Sequence, residues 1–377
     1  MRRSSAHRAQ MGLSLIELMV ASAVGLLIML AILTLYTNVS RTNDEMAKAN
    51  VVIENGRFAI QLLQNEVAHA GFWDTYIPDF DDLTSSEVPA GIPTGVPQPC
   101  LAYSSWTSSV RTNRLGIAVQ VHDSVPSGCS GVITNRKSDT DILVVRHAQT
   151  CVAGASGCEA DTSGKLYFQA SRCSSDTAKY VLATSGLNLR QRNCTDPAPK
   201  RRYISNIYYV RDYAATVGDG IPTLVRSEFD LASGAVTAQA PVALIEGVDG
   251  FRVDLGVDRV SDAGIDIISD SNSANRYTAA IKWANAKSLT SPVNRGDGVP
   301  DEFVHCSGAC SVDRLVNVVA VKLNLLMRSQ TTTAGYQDNK SYALGSQTVA
   351  AANDGYKRHV FSTVVRLNNI SGRRETP

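Results

Sequence analysis

The sequence predicts an α+β fold in which one long N-terminal helix precedes a β-rich region. The first observation is an uncharged apolar run at residues 18–36, followed by residues 44–70 with apolar side chains at helical spacing. The second is a set of later segments in which apolar and polar residues alternate, as half-buried strands require. One helix followed by many strands is typical of α+β proteins. The chain has 377 residues, 44% hydrophobic and 19% charged, enough for a sizeable core.

The apolar run at residues 18–36 is long enough to cross a bilayer as a helix. Arg2, Arg3 and Arg8 precede it, and the next cation is Arg41, so the positive-inside rule places the N-terminus in the cytoplasm. Ordinary signal cleavage is not expected, because the run is long and leads directly into a polar helix. The rest of the chain is therefore predicted to lie outside the inner membrane.

Glu17 lies at the leading edge of this run, where a carboxylate in hydrocarbon costs on the order of 2–3 kcal/mol unless it is paired. A cut between Gly12 and Leu13 would create an α-ammonium group about one helical turn before Glu17, and this group could be the partner. The alternative is an interfacial glutamate that lies among lipid headgroups.

The helix is expected to continue beyond the membrane, with Gly71 as its stop. Asn43 or Asp44 could weakly cap a restart, and Gly56 is expected to loosen the middle. The segment is interpreted either as the exposed half of one long helix that packs on a sheet or as an ordinary amphipathic core helix. Its apolar stripe consists of Val52, Ala59, Leu62, Leu63, Val67 and Ala70.

Six later segments alternate as strands do, with a turn at residues 218–220 between the second and the third. A proline-rich stretch at 86–99 predicts an ordered loop or linker, and a Ser/Asp/Asn-rich stretch at 261–275 predicts a surface loop. The six strand segments are 141–147, 203–211, 224–229, 248–257, 319–328 and 359–367.

An even number of cysteines, all beyond the apolar run, indicates disulfides formed in an oxidising compartment. Reduced cysteines in a cytosolic protein are the alternative. We expect Cys306 to pair with Cys310 and Cys151 with Cys158, because each pair closes a short loop. The assignment of Cys100 to Cys129 and of Cys173 to Cys194 is an arbitrary choice among very many pairings. The cysteines are Cys100, Cys129, Cys151, Cys158, Cys173, Cys194, Cys306 and Cys310.

Two short motifs resemble metal sites only weakly. His305 adjoins Cys306 and Cys310, but no second cluster offers the remaining zinc ligands, so a disulfide is favoured. Asp297 and Asp301 are weak calcium candidates, because the EF-hand spacing is absent and turn chemistry explains both. We therefore assign no metal and no cofactor, and the Arg-Gly-Asp tripeptide at 295–297 is attributed to chance.

The remaining polar motifs give no reason to propose catalysis or nucleic-acid binding. The basic runs at 200–202 and 373–374 are interpreted as solvated surface, and the formal net charge is only +1. His122 and His147 have no evident triad partners, and HExxH, P-loop and GxSxG motifs are absent from the sequence.

The N-terminal string Gly12-Leu13-Ser14-Leu15-Ile16-Glu17-Leu18, after its Arg-bearing leader, resembles the class III signal of type IV pilins and pseudopilins. The resemblance implies cleavage by prepilin peptidase after Gly12 and N-methylation of Leu13. It also implies that Glu17 pairs with the N-terminus of a neighbouring subunit during assembly. Leu13 departs from the Phe or Met that is usual in the family, and this affects methylation little because the amine is modified.

Four later blocks resemble the PilW family of minor pilins, which is similar to the J-type minor pseudopilin of type II secretion. This resemblance implies a type IV pilin-like fold, with the long helix packed on antiparallel sheet and with large disulfide-bearing loops. It also implies a place in a small complex that primes filament assembly and sits at the tip. The blocks are YYVRD…IPTLVRSEF, LIEGVDGFRVDLGVD, VVAVKLNLLMRSQ and HVFSTVVRLNN.

Together these observations predict a non-enzymatic minor pilin of the type IV pilus (fimbrium), required for twitching motility. Its parts are a cytoplasmic leader (1–12), a transmembrane and filament-core helix (13–36), an amphipathic helix (37–71) and a periplasmic β-rich domain (72–377). The expected partners are other minor pilins, the major pilin, prepilin peptidase, a tip adhesin and the inner membrane, with no specific nucleic acid. The alternatives are a minor pseudopilin of type II secretion and a membrane-anchored periplasmic binding protein or enzyme.

Overall fold

The computed structural model describes residue 12, residues 14–308 and residues 310–375. The predicted leader at residues 1–11, together with Leu13, therefore lies outside the described residues. The chain divides into two compact units, Met1–Val51 and Val52–Pro377. The boundary falls within the segment predicted to be the amphipathic helix.

The first element is a helix, α1, which runs from Leu15 to His69. It is continuous through residues 43 and 44, so the expected restart there is wrong. Within the second unit its buried residues follow the predicted stripe, with Leu62 only half-buried. The helix ends just before Gly71, which has a φ of +73° and is the stop that the sequence predicts. The buried residues of α1 are Val52, Gly56, Ala59, Leu63 and Val67.

Gly56 does not loosen the helix, contrary to the sequence-based expectation. A Cβ atom at this position would lie 2.2 Å from Cε2 of Phe361, so the missing side chain makes room for an aromatic ring. The packing of this ring compensates for the low helix propensity of glycine.

Within residues 70–308 and 310–375, three shorter α-helices and sixteen strands follow α1. The helices are α2 (Ser108–Gly116), α3 (Val312–Val316) and α4 (Asn368–Arg374). The first eight strands are β1 (Val119–His122), β2 (Ile142–Ala148), β3 (Tyr167–Ala170), β4 (Tyr180–Ala183), β5 (Arg201–Arg211), β6 (Thr223–Ala232), β7 (Ala235–Ala238) and β8 (Val242–Glu246). The others are β9 (Val248–Val257), β10 (Trp283–Asn285), β11 (Thr290–Pro292), β12 (Glu302–Val304), β13 (Val318–Arg328), β14 (Tyr342–Leu344), β15 (Gln347–Val349) and β16 (Arg358–Arg366).

Every strand pairing is antiparallel. An eight-stranded sheet has the order β1-β2-β5-β3-β4, and β6 pairs with β5, β7 and β8. A four-stranded sheet has the order β12-β9-β13-β16, and two hairpins, β10-β11 and β14-β15, stand apart from both sheets. The long helix with antiparallel sheets confirms the α+β prediction.

All six predicted strands are present, and 248–257 has the predicted limits as β9. The strands that the sequence analysis missed have three to five residues, too few for a period of two to be recognised. Helix α2 was missed as well, because its sequence SSVRTNRLG carries few apolar residues. Residues 86–99 form neither helix nor strand, as predicted, whereas the loop at 261–275 buries Ile267 completely.

The second unit contains two hydrophobic cores. The first lies against α1 and includes Leu63, Val67, Phe251 and Leu325. Strand β5 separates the cores, because Tyr208 and Val210 face the first whereas Ile207 and Tyr209 face the second. The second core is rich in aromatic rings, including Trp73, Trp106, Phe168, Tyr203 and Phe229.

The eight cysteines form four disulfides, all in the second unit. The pairs are the ones named from the sequence: Cys100–Cys129, Cys151–Cys158, Cys173–Cys194 and Cys306–Cys310. Their Cα atoms lie 4.9 to 5.7 Å apart, within the usual range for disulfides.

The C-terminal helix α4 packs against the end of α1, in the region where the sequence predicts solvated cations. Arg374 is only 2% exposed, and its guanidinium donates to Asp81 at 2.9 Å and to Asp258 at 3.1 Å. Arg373 donates to the Gly71 carbonyl at 2.7 Å. The interpretation of 373–374 as solvated surface is therefore wrong.

The second basic run, at 200–202, is also not simply solvated. Arg201 lies 3.2 Å from Asp74, and Arg202 lies 2.9 Å from Asp230. Both arginines are half-buried. The local sequence shows the positive charges but not the carboxylates, which come from distant parts of the chain.

Candidate functional site

The start of α1 contains a pair of reciprocal hydrogen bonds. The backbone N–H of Ser14 donates to Glu17 Oε2 at 2.9 Å, and the N–H of Glu17 donates to Ser14 Oγ at 3.2 Å. This arrangement is a capping box, which pairs two of the amides that every helix start leaves free. The sequence S-x-x-E at residues 14–17 is the signature of such a box, and it was not used in predicting the role of Glu17.

Glu17 therefore has a partner within its own helix. The capping box satisfies one oxygen of this carboxylate, Oε2, without an added ammonium. Gly12 is exposed, whereas Leu13 lies outside the described residues. Cleavage between these two residues remains a prediction.

The part of α1 that follows Glu17 exposes its apolar side chains in every direction. An 18-residue window of this helix has a mean hydropathy of 2.6, and 0% of it is buried. By length and composition the helix can cross a membrane, and it is compatible with a membrane anchor. An apolar helix surface of this size needs either lipid or other helices around it.

The few hydroxyl groups in this apolar segment donate hydrogen bonds back to their own helix. Ser22 Oγ donates to the Met19 carbonyl at 3.0 Å, and Thr34 Oγ1 donates to the Ala31 carbonyl at 2.8 Å. These bonds lower the cost of placing the hydroxyls in hydrocarbon. Nothing lies within 4 Å of a Cβ built on Gly25, so the helix surface there is open to a neighbour.

Both weak calcium candidates accept hydrogen bonds from backbone amides. Asp301 Oδ2 accepts from the amides of Arg259 and Val260 at 2.8 Å, and Asp297 Oδ1 accepts from the amide of Val299 at 2.8 Å. Across residues 14–308 and 310–375, no group of three or more His, Cys, Asp or Glu side chains could hold a metal ion.

His305, which the sequence places beside two cysteines, lies against a buried carboxylate. Its Nε2 lies 3.0 Å from Asp141 Oδ2, and Asp141 also accepts from Arg252 at 2.9 Å. His122 Nε2 lies 2.7 Å from Gln120 Nε2, and His147 Nε2 lies 3.6 Å from Glu66 Oε1.

The Arg-Gly-Asp tripeptide at 295–297 is not displayed for recognition. Arg295 is 2% exposed and donates to the carbonyls of Phe80, Asn294 and Ala279. Its guanidinium therefore binds three backbone carbonyls inside the protein.

Comparison with known proteins finds a family model that matches part of the chain. Residues 207–369 match the family model PilW, described as Type IV Pilus-assembly protein W. All four sequence blocks that resemble PilW lie within this match, which covers less than half of the chain. A search of curated proteins finds no match.

Among solved structures, a similar chain is the Type IV-like pilin TTHA1219 from Thermus thermophilus. It is 13% identical in sequence, and the alignment covers 67% of this chain and 83% of that one, with a TM-score of 0.29. At this score the likeness carries no argument about the fold. The match over residues 207–369 confirms the resemblance predicted from the sequence: in that region the chain is similar to the type IV pilus-assembly proteins of the PilW family.

Proposed function

We propose that this chain is a minor pilin that takes part in type IV pilus assembly as a member of a priming or tip complex. The observation that carries the proposal is the fully exposed apolar part of α1, beginning at Glu17, in a chain whose later region matches PilW. The exposed segment provides a surface for lipid before assembly and for other pilin helices afterwards. The size of the second unit favours a position at the end of the pilus over a repeated position in its shaft.

In this proposal prepilin peptidase cuts after Gly12, and the new terminus at Leu13 is methylated. Glu17 Oε2 holds the amide of Ser14, so Oε1 is available for the ammonium of a neighbouring subunit. A charge-assisted bond of this kind, formed away from water, sets the register between two helices. The other minor pilins, the major pilin and the inner membrane are the proposed surroundings, and a structural role needs no cofactor.

Deletion of the gene, with complementation, tests the proposal. Loss of surface pili and of twitching, restored by the intact gene, would support it. Loss of enzyme secretion with normal pili would instead assign the chain to type II secretion, whose minor pseudopilins share the N-terminal features.

Mass spectrometry of the purified protein separates both assemblies from an anchored periplasmic protein. A mature chain that begins with methylated Leu13 is expected. A chain that retains Met1 and supports normal piliation would contradict the processing step and favour the anchored alternative.

A further inference from the structure

Two buried arginines face the second core from different elements. Arg114 lies in the last turn of α2, and Arg146 lies on β2. In the sheet register, Arg146 is opposite Ser205, and Ala148 is opposite Tyr203. Since residues two apart on a strand share a face, Arg146, Tyr203 and Ser205 all project to the same side of the sheet.

Most of the donors on these two arginines have no partner. Arg114 Nη2 donates to the carbonyls of Gln98 and Pro99, and Arg146 Nη1 donates to the carbonyl of Ile117 at 3.0 Å. Arg146 Nε and Nη2 and the Ser205 hydroxyl are buried without a hydrogen bond, and the buried Tyr203 hydroxyl interacts only with the guanidinium of Arg114. A buried donor without a partner is destabilising, so a cluster of them calls for an explanation.

The charge of the cluster is not balanced. Arg114 and Arg146 are each 0% exposed, and no ion pair involves either within the described part of the chain. Burial, together with the charge of Arg114, lowers the pKa of Arg146 to about 9, so its guanidinium stays protonated at neutral pH. Burial also lowers the pKa of Arg114, but an arginine side chain keeps its charge in proteins. Buried charges are normally paired, because an isolated one is expensive.

Neither the neighbouring histidine nor the neighbouring aromatic ring supplies the missing negative charge. Burial and the charge of Arg146 lower the pKa of His122 to about 4, so this histidine is neutral at neutral pH. The guanidinium of Arg114 lies 4.2 Å from the centre of the Trp106 ring. Such a cation–π contact offsets only part of the cost of burial and leaves Arg146 uncompensated.

We propose that Arg114 and Arg146, with the hydroxyls of Tyr203 and Ser205, bind a small inorganic anion, namely a halide such as chloride. The unpaired N–H and O–H groups supply donors, and the anion supplies the negative charge that the cluster lacks. A carboxylate side chain of a partner protein is excluded, because Tyr203 is 1% and Ser205 is 2% exposed. A halide loses its hydration at a lower cost than phosphate or sulfate does, which suits a site walled by aromatic rings.

The halide dependence of thermal unfolding tests the proposal on the full-length protein in detergent. Sodium chloride or sodium bromide replaces sodium gluconate at constant ionic strength, because gluconate is too large for the site. For the wild type we expect the melting temperature to rise by about 3 °C for each tenfold increase in halide once the site is saturated. Arg146→Met should lose this dependence, whereas Arg111→Met, which removes another arginine of α2, should keep it.

A direct measurement covers the case in which Arg146→Met does not fold. Wild-type protein is desalted rapidly from chloride into gluconate and denatured, and the released halide is measured by ion chromatography. Stoichiometric release of a single chloride is expected. No release, together with equal melting temperatures in chloride and gluconate, would overturn the proposal and would mean that buried water alone satisfies these donors.

Discussion

At the scale of single residues, Glu17 has one role in its own helix and a second, proposed role in assembly. It accepts the amide of Ser14 in a capping box, and in the proposed assembly it also binds an ammonium of another subunit. The first role needs only a hydrogen-bond acceptor, whereas the second needs a negative charge. Glutamine can act as the acceptor in a capping box but carries no charge.

Glu17→Ala and Glu17→Gln therefore make a matched pair. We expect both variants to insert in the membrane and both to be incorporated poorly into pili, because neither carries the negative charge. Membrane fractionation and the amount of the protein in sheared pili measure the two effects. Normal incorporation of Glu17→Gln would show that the cap, and not the charge, is what assembly requires.

Gly56 shows how a local propensity can be misleading. In isolation, Gly→Ala in a helix is stabilising by about 1 kcal/mol. Here the added methyl group would meet the ring of Phe361, which the sequence places some three hundred residues away.

We expect Gly56→Ala to destabilise the protein by about 1–3 kcal/mol, because overpacking outweighs the gain in helix propensity. Denaturant unfolding measures the change. Gly25→Ala, at a position with nothing within 4 Å, is the control and should not destabilise. If the clash is the cause, adding Phe361→Leu to Gly56→Ala should recover most of the stability that Gly56→Ala loses. Additive effects of the two substitutions on the free energy of unfolding would contradict this cause.

At the scale of elements, α4 lies against the end of α1 and supplies hydrogen-bond donors to it. The side-chain nitrogen Nδ2 of Asn369 lies 3.3 Å from the carbonyls of Ala68, His69 and Ala70, which are among the acceptors that a helix end leaves free. Arg374 adds the buried pairs with Asp81 and Asp258. The C-terminus of the chain thus holds the end of its first helix.

Arg374→Ala should cost about 3–5 kcal/mol, because it leaves two buried carboxylates without a cation. Arg366→Ala, which breaks only an exposed pair with Glu375, should change stability by less than about 1 kcal/mol. Denaturant unfolding compares the two variants at the same pH.

The pH dependence gives an independent check on Arg374→Ala. Burial already raises the pKa of Asp258 to about 6, and loss of the cation raises it further. A raised pKa means that the folded state binds more protons than the unfolded state, so the deficit of the variant should shrink as the pH falls from neutral. A deficit that is constant or grows over that range would contradict the role of buried charge.

At the scale of the whole molecule, the second unit contains both cores and all four disulfides. Its internal packing predicts that it can fold without the apolar segment. Removal of residues 1–51 should therefore give a soluble, oxidised protein with a cooperative unfolding transition. Size-exclusion chromatography and calorimetry test this expectation, and aggregation of the oxidised fragment would contradict it.

The long periodic elements could be predicted from the sequence because each carries its own repeated pattern. The apolar run of α1, its buried stripe and strands such as β9 and β13 were all recognised in this way. Short strands such as β10 and β12 could not be, since three residues are too few to show a period. The capping box at Ser14 and Glu17 was not predicted, although its signature S-x-x-E is present in the sequence.

The class of fold, the apolar segment and the similarity to PilW can be predicted from the sequence, because they depend on neighbouring residues along the chain. The surroundings of the charged groups depend on the tertiary structure, which pairs Arg374 with Asp81 and Asp258 and buries Arg114 and Arg146 without a carboxylate. A charge looks the same in sequence whether it is solvated or buried, and only the fold brings its counter-charge near or leaves it without one.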